Sequence, residues 1–147
     1  MNWKEEAIHK LREYAPMRQA TVNIPMQIRQ LEDEYQTIRG QSFSGGRRTI
    51  ADPGSREDQM MNNIIRRQEL EKSLERACRW MEIVDGALEV LEPQEREILQ
   101  CMYVFPQKGA VDTACDALCV EKSSIYRRRD KALRKFTLAM YGTTESN

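Results

Sequence analysis

Apolar residues recur at intervals of three or four positions along most of the chain, which is the spacing of one face of an α-helix. Residues 2–15 form the first such segment and residues 23–38 the second. Pro16 is expected to end or kink the first helix, and Asn23 is expected to cap the second, with Pro25 in its first turn. The predicted inner faces are Trp3, Ala7, Ile8, Leu11 and Tyr14, and Ile24, Ile28, Leu31, Tyr35 and Ile38. The pattern predicts an all-α protein.

The longest predicted helix covers residues 56–91 and carries a seven-residue repeat. Its two lines of positions are Met60, Arg67, Leu74, Met81 and Leu88, and Asn63, Leu70, Ala77, Val84 and Leu91. A strict repeat of seven drifts by about 20° per heptad on a straight helix, so it predicts a left-handed supercoil against another helix. The partner expected within the chain is the segment 24–38, which is spaced like a coiled-coil seam. Together they predict a long, coiled-coil-like N-terminal helical hairpin.

Two features of this hairpin bear on assembly. Asn63 and Arg67 interrupt the apolar seam near its start, and polar residues at such positions often fix register or the number of partners. The long helix is also longer than its predicted partner, the segment 24–38. Its uncovered part predicts contact with the N-terminal helix or a homodimer through the long helices.

Residues 40–58 join the two helices of the hairpin and show no periodicity. They contain four glycines and one proline, which predicts a long flexible connector. Arg47 and Arg48 allow two interpretations. They form either a basic arm that touches phosphate or an ordinary solvated loop.

The last third of the chain predicts three shorter helices, at residues 93–104, 111–118 and 122–140. Pro93 suits the first position of the first of these helices, and Cys119 and Val120 supply the turn before the last. Ala114, Ala117 and Leu118 are expected to share one face. The predicted core of this trihelical unit consists of Ile98, Leu99, Met102, Leu118, Ile125, Leu133 and Phe136.

The last of these helices concentrates positive charge. The whole chain has a formal net charge of zero, yet residues 122–135 hold seven Lys or Arg and a single Asp. On a helical wheel the polar side faces away from the apolar stripe, as on a recognition helix that enters a DNA major groove, although a solvated helix gives the same pattern. The residues predicted to contact DNA are Lys122, Ser123, Tyr126, Arg127 and Lys131. Arg129 lies only about 40° from the apolar centre and is expected to pair with Glu95 or Glu97 instead.

The sequence contains no motif that indicates an enzyme. It contains no phosphate-binding glycine loop, no metal-ligand cluster and no nucleophile with a base at usable spacing, so neither a catalytic role nor a cofactor is predicted. Cys115 and Cys119 could offer two thiolates to zinc, but small buried thiols are the other interpretation. His9, the one histidine, has no positioned partner. No apolar run approaches the roughly 18 residues of a membrane span, which predicts a cytoplasmic protein without a membrane partner.

The segments LEPQEREILQCMYV and VDTACDALCVEKSSIYRRRDKALRKF resemble region 4 of the sigma-70 family, which reads the −35 promoter element. The RRQELE run at residues 66–71, the glycine-rich connector and the ending AMYG resemble phage regulators of the ArpU and RinA type. Two residues depart from the pattern: Cys119 stands where glycine is common in the turn, and Glu121 where a Ser or Thr cap is common. The sigma region that melts promoters has no counterpart in this chain.

The resemblance implies a division into a helical hairpin with an oligomerising role, residues 1–91, and a helix-turn-helix domain of the sigma-70 region 4 type, residues 92–147. It implies a sequence-specific DNA-binding transcriptional regulator of phage or prophage origin, of the late-gene activator type, acting in the bacterial host cell. Double-stranded DNA is the expected partner, and RNA polymerase a second one. The alternative is a phage packaging protein such as a small terminase subunit, which also joins a helix-turn-helix to oligomerising helices.

Overall fold

The computed structural model describes residues 2–40 and 55–145. These residues form five α-helices and no strand, which confirms the all-α prediction. The helices are α1 (Trp3–Gly40), α2 (Arg56–Glu89), α3 (Pro93–Leu99), α4 (Ala110–Leu118) and α5 (Lys122–Tyr141). Most of the predicted connector, including Arg47 and Arg48, lies outside the described residues. None of the described helices combines the length and the apolar character that crossing a bilayer requires.

Helix α1 runs unbroken through Pro16 and Pro25, so the prediction of two separate helices was wrong. A proline inside a helix removes one backbone hydrogen bond and costs roughly 3 kcal/mol. The apolar face continues on both sides of Pro16, however, with Leu11 at 0% and Ile24 at 9% exposure. Burial of this face outweighs the local cost.

Helix α3 continues into a π-helical segment, Gln100–Val104, in which the Phe105 N–H donates to the Gln100 carbonyl at 2.8 Å. The predicted helix at residues 93–104 therefore exists, but its second half is wider than an α-helix. This wider turn ends on Tyr103 and Val104, and both side chains are buried. Single π-turns of this kind occur where packing requires a shift of the helical face.

The described chain divides into two compact units. Unit 1 combines Met1–Arg18 with Arg79–Asn147, and unit 2 is Gln19–Cys78. The predicted domain boundary between residues 91 and 92 differs from this division, because the N-terminal part of α1 and the end of α2 pack into the same core as α5.

Unit 1 contains two clusters of buried apolar side chains. The larger cluster consists of Ala7, Leu11, Val84, Ala87, Leu88, Leu91, Leu99, Tyr103, Val104, Ala132, Leu133 and Phe136. The smaller cluster is Ile98, Ala114 and Ile125, with Met102, Leu118 and Val120 packed against it. All seven residues predicted as the C-terminal core lie in or against these clusters, which confirms that prediction. Ala117 is exposed, so its predicted place on the inner face was wrong.

Unit 2 contains the parts of α1 and α2 that carry the predicted seam. All of its predicted seam positions are buried or half-buried: Met60, Asn63, Arg67, Leu70, Leu74 and Ala77 on α2, and Ile24, Ile28, Leu31, Tyr35 and Ile38 on α1. The heptad pattern therefore identified the inner faces correctly.

The polar interruption of the seam is satisfied by contacts between α1 and α2. Asn63 is 6% exposed; its Nδ2 donates to the Leu31 carbonyl at 2.8 Å, and its Oδ1 accepts from Arg67 Nε at 2.9 Å. The Arg67 guanidinium in turn lies 5.0 Å from the centre of the Tyr35 ring. A buried amide with one backbone partner on the facing helix fits only one register, which explains a polar residue within the seam.

Leu133→Ala should lower the free energy of unfolding by ~2–5 kcal/mol, because Leu133 is fully buried in the larger cluster. Leu138→Ala is the control, since Leu138 is on the same helix but 41% exposed. Urea titration followed by circular dichroism measures both. A loss below about half a kcal/mol for Leu133→Ala would show that its face is not part of the core.

Asn63→Asp should cost ~1–3 kcal/mol, because the new carboxylate cannot donate to the Leu31 carbonyl and instead places a second acceptor against that oxygen. Asn62→Asp adds the same charge at the neighbouring exposed position and should change stability little. Thermal melts of the two variants give the comparison. Equal melting temperatures would mean that Asn63 does not fix the pairing of α1 with α2.

Candidate nucleic-acid interface

The interface candidate begins at the turn between α4 and α5, residues 119–121. Cys119 adopts a left-handed backbone, with φ 54° and ψ 44°, and is the single non-glycine residue with positive φ in the described chain. The Cys115 carbonyl accepts the N–H groups of both Cys119 and Val120 and so closes the end of α4. Glycine is common at this position in helix-turn-helix turns, and the left-handed backbone of Cys119 is one that glycine adopts without strain.

Glu121 occupies the cap position of α5 with an extended backbone, φ −77° and ψ 159°. Its carbonyl accepts the N–H groups of Ser124 and Ile125, but its side chain makes no capping hydrogen bond. The first turn of α5 thus keeps N–H groups that no cap side chain satisfies, and such groups favour negatively charged partners. Ile125, fully buried, anchors this turn in the smaller core cluster.

The five predicted DNA contacts are spread over the solvent-exposed half of α5, and Lys131 also lines a surface cavity with Glu92, Glu95 and Arg128. Lys122, Ser123, Tyr126, Arg127 and Lys131 are all exposed, with Tyr126 at 42%. Their grouping on one helix follows from the sequence, but their exposure depends on how α5 packs. Arg134 is exposed as well and lies two turns after Arg127, so it extends the basic surface beyond the five predicted residues.

The cations of α5 differ in whether they already have partners. Lys122 Nζ lies 3.3 Å from Asp112 Oδ1 on α4, and both side chains are 68% exposed. Such a pair contributes only ~0–1 kcal/mol, so Lys122 can exchange it for a phosphate. Within the part of the chain that the structure describes, Arg127 and Lys131 have no acidic partner.

Two other cations of the basic run are held by α3. Lys135 Nζ lies 2.8 Å from Glu95 Oε1, and Arg128 Nη1 donates to Gln94 Oε1 at 2.9 Å. Glu95 is only 6% exposed, and its hydrogen bond is the main cause of the raised pKa of Lys135. These two cations fix α5 against α3, so they belong to the fold rather than to a free surface.

The predicted partner of Arg129 was wrong. Arg129 does not pair with Glu95 or Glu97; its Nε and Nη2 donate to Asp130 Oδ1 at 3.1 and 3.0 Å, and its guanidinium lies 5.0 Å from the Tyr126 ring centre. The helical wheel gives the direction in which Arg129 leaves the helix axis, but not the position of the guanidinium at the end of its long side chain. The next residue offers a nearer carboxylate, and Glu95 is already bound by Lys135.

Asp130 joins α5 to the first turn of α1, a contact that sequence reasoning missed. Lys4 Nζ lies 3.2 Å from Asp130 Oδ2, while Arg129 occupies Oδ1. Partial burial acts to raise the pKa of Asp130, but the hydrogen bonds from Arg129 and Lys4 outweigh it and hold the pKa below its ordinary value. The stabilisation from this charge is present above the ordinary aspartate pKa and is lost as the pH falls through the lowered value. Lys4 and Asp130 are 126 positions apart in the chain, so no spacing pattern in the sequence predicts their contact.

Cys115, Cys119 and His9, which the sequence singled out, lie in three different surroundings in the described chain. Cys115 is half-buried against the smaller core cluster, and Cys119 is exposed with its Sγ 3.8 Å from the Asp116 carbonyl. His9 Nε2 lies 2.9 Å from Glu13 on the surface of α1. Among the described residues, no group of three His, Cys, Asp or Glu side chains is placed to hold a metal ion.

Comparisons of the chain with protein-family models, with curated proteins and with solved structures gave no significant match. The resemblance to sigma-70 region 4 and to the ArpU and RinA regulators therefore stays a prediction from the residues quoted above.

Cys119→Gly should raise the free energy of unfolding by about 0.5–1 kcal/mol, because glycine adopts the left-handed conformation without the steric cost that a Cβ brings. Ala117→Gly is the matched control: this exposed position lies inside α4, where glycine should cost about 1 kcal/mol. Opposite signs for the two substitutions in urea titrations are the expected result. Destabilisation by both would show that residue 119 is not left-handed in solution.

Proposed function

We propose that the protein is a sequence-specific DNA-binding transcriptional regulator that reads double-stranded DNA with α5. The observation that carries this proposal is the sorting of charges along α5. Arg127 and Lys131 are exposed and free of acidic partners in the described chain, while Arg128 and Lys135 are bound by α3. Exposed cations without acidic partners suit contact with a phosphate backbone.

The dimensions of α5 suit a major groove. A helix of 20 residues is about 30 Å long, and the groove is about 12 Å wide, enough to admit one helix. Residues in the first turn of a recognition helix usually approach the base edges, and here these are Lys122 and Ser123. The three-residue turn from α4 suits the role of α4 as the first helix of a helix-turn-helix.

Each residue of the face has a chemical role in this proposal. Arg127 is placed to donate two hydrogen bonds to a guanine, the commonest specific contact of arginine in the major groove. Lys131, one turn further, suits a phosphate or a guanine. Tyr126, held by Arg129, presents a rigid ring to a thymine methyl or to the sugar-phosphate backbone. Lys122 exchanges Asp112 for a phosphate.

The remaining parts of the proposal rest on the sequence resemblance together with the contacts in unit 2. We place a helical hairpin in residues 1–91 and a helix-turn-helix domain of the sigma-70 region 4 type in residues 92–147. The resemblance supports an oligomerising role for the hairpin, and a homodimer would double the DNA contacts. The hydrogen bond of Asn63 lies within one chain and pairs α1 with α2. The resemblance supports activation of phage late genes, contact with RNA polymerase and action in the cytoplasm of a bacterial host.

The mass of the protein in solution separates this proposal from the packaging alternative. A small terminase subunit should form a large ring, so light scattering would give a mass many times the 17.2 kDa of one chain. A monomer or dimer is what the regulator requires.

The target duplex is first selected from a random library with the wild-type protein. Arg127→Ala should weaken binding to this selected duplex by ~1–3 kcal/mol and relax the preference at one base pair, if Arg127 reads a guanine. Lys131→Ala should weaken all duplexes alike if Lys131 contacts a phosphate, and should flatten the dependence of log K on log salt by roughly one unit. Fluorescence anisotropy with the selected duplex and single-base variants of it, at several salt concentrations, measures both effects.

Lys72→Ala serves as the control, because Lys72 is an exposed lysine of unit 2 outside the basic run. Its removal changes the net charge by the same amount as Lys131→Ala. Binding that persists unchanged when both Arg127 and Lys131 are alanine would exclude α5 as the recognition helix.

A further inference from the structure

Lys4 is a cation of α1 that the structure brings to α5. Its Nζ lies 3.2 Å from Asp130 Oδ2, although the two residues are far apart in the chain. We propose that Lys4 contacts a DNA phosphate and that Asp130 positions it, so that the DNA-binding surface includes the first turn of α1. The inference rests on the proposed function and extends it to a residue outside the region that resembles sigma-70 region 4.

Asp130 is itself held in place, which makes it a suitable guide for Lys4. Arg129 donates to Asp130 Oδ1 through both Nε and Nη2, and the Arg129 guanidinium lies against the Tyr126 ring. The carboxylate is therefore restrained on one side and presents Oδ2 to Lys4 on the other. Two cations share a single carboxylate, so these three side chains together keep one positive charge, although Glu5 and Glu6 also lie in the first turn of α1.

The cluster adjoins the cations of the proposed interface. Asp130 lies one helical turn from Arg127 and one from Arg134, and both of these are exposed. Along the helix axis these separations are about 4.5 and 6 Å. The Lys4 side chain is 42% exposed, so Nζ keeps donors for a further partner while it contacts Asp130. A phosphate that meets this stretch of α5 can bind Lys4 as well.

The ion pair is not needed to hold α1 in place. Ala7 and Leu11, one and two turns after Lys4, are at 1% and 0% exposure in the larger core cluster, and their burial fixes the start of α1. An ion pair between side chains that are about 40% exposed adds little to this. Lys4 therefore contributes little to stability, and its exposed Nζ is available to a ligand that approaches from solvent.

The test compares Lys4→Gln with Lys4→Arg and with Lys10→Gln, a control that removes the same charge elsewhere on α1. The measured quantity is the slope of log K against log salt for the selected duplex and for a scrambled one. Lys4→Gln should reduce the magnitude of this slope by roughly one unit, since one phosphate contact is lost. It should weaken both duplexes by the same factor and leave the base preference unchanged. Lys4→Arg should retain the wild-type slope, and so should Lys10→Gln.

The role of Asp130 is tested in the same assay. In an Asp130→Asn background, Lys4→Gln should have a smaller effect than in the wild-type background, because Lys4 is no longer held at the surface. Melting temperatures of all variants confirm that the binding assay compares folded proteins.

Three results would overturn parts of this account, and they are distinguishable. A wild-type salt slope in Lys4→Gln overturns the phosphate contact while leaving α5 as the recognition helix. An undiminished effect of Lys4→Gln in the Asp130→Asn background overturns the positioning role of Asp130. Failure of the wild-type protein to bind any duplex overturns the proposed function itself and this inference with it.

Discussion

Burial of one face of α5 is the constraint on which the rest of unit 1 depends. Ile125, Leu133 and Phe136 are fully buried, and they reach both core clusters. Their burial determines which side of α5 faces solvent, and it brings the start of α1, the end of α2 and α3 around the same helix. Polar contacts then orient α5 about its axis. Lys135 with the buried Glu95 holds it to α3, while the exposed pair of Lys4 and Asp130 adds little to the packing against α1.

This arrangement explains how a chain without net charge can present a cationic surface. Glu95 neutralises Lys135, which faces α3, while Arg127 and Lys131 have no acidic partner in the described chain. Electrostatic attraction to DNA depends on such local excess more than on the total charge. The pairing of α1 with α2 within unit 2 depends on a different interaction, the hydrogen bond from the buried Asn63 amide to the Leu31 carbonyl, which favours one register.

Periodicity alone predicted the helical class, the protected seam positions of α1 and α2 and the seven C-terminal core residues, because each depends on spacing along one element. It misplaced Ala117 on α4. The left-handed backbone at Cys119 agrees with the resemblance, in which glycine is common at this turn position. Three features could not be predicted in this way. The continuity of α1 through Pro16 depends on tertiary burial, and the π-helical segment on packing at Tyr103. The partner of Arg129 depends on side-chain reach and on Lys135 already binding Glu95, which a helical wheel does not represent.

The central claim is that α5 reads a DNA sequence. Selection of bound duplexes from a random library by the wild-type protein, followed by sequencing, tests it most directly. The account predicts enrichment of one motif, with binding of that motif weakening linearly in log K as log salt rises. Enrichment of no motif, or binding that does not respond to salt, would contradict it.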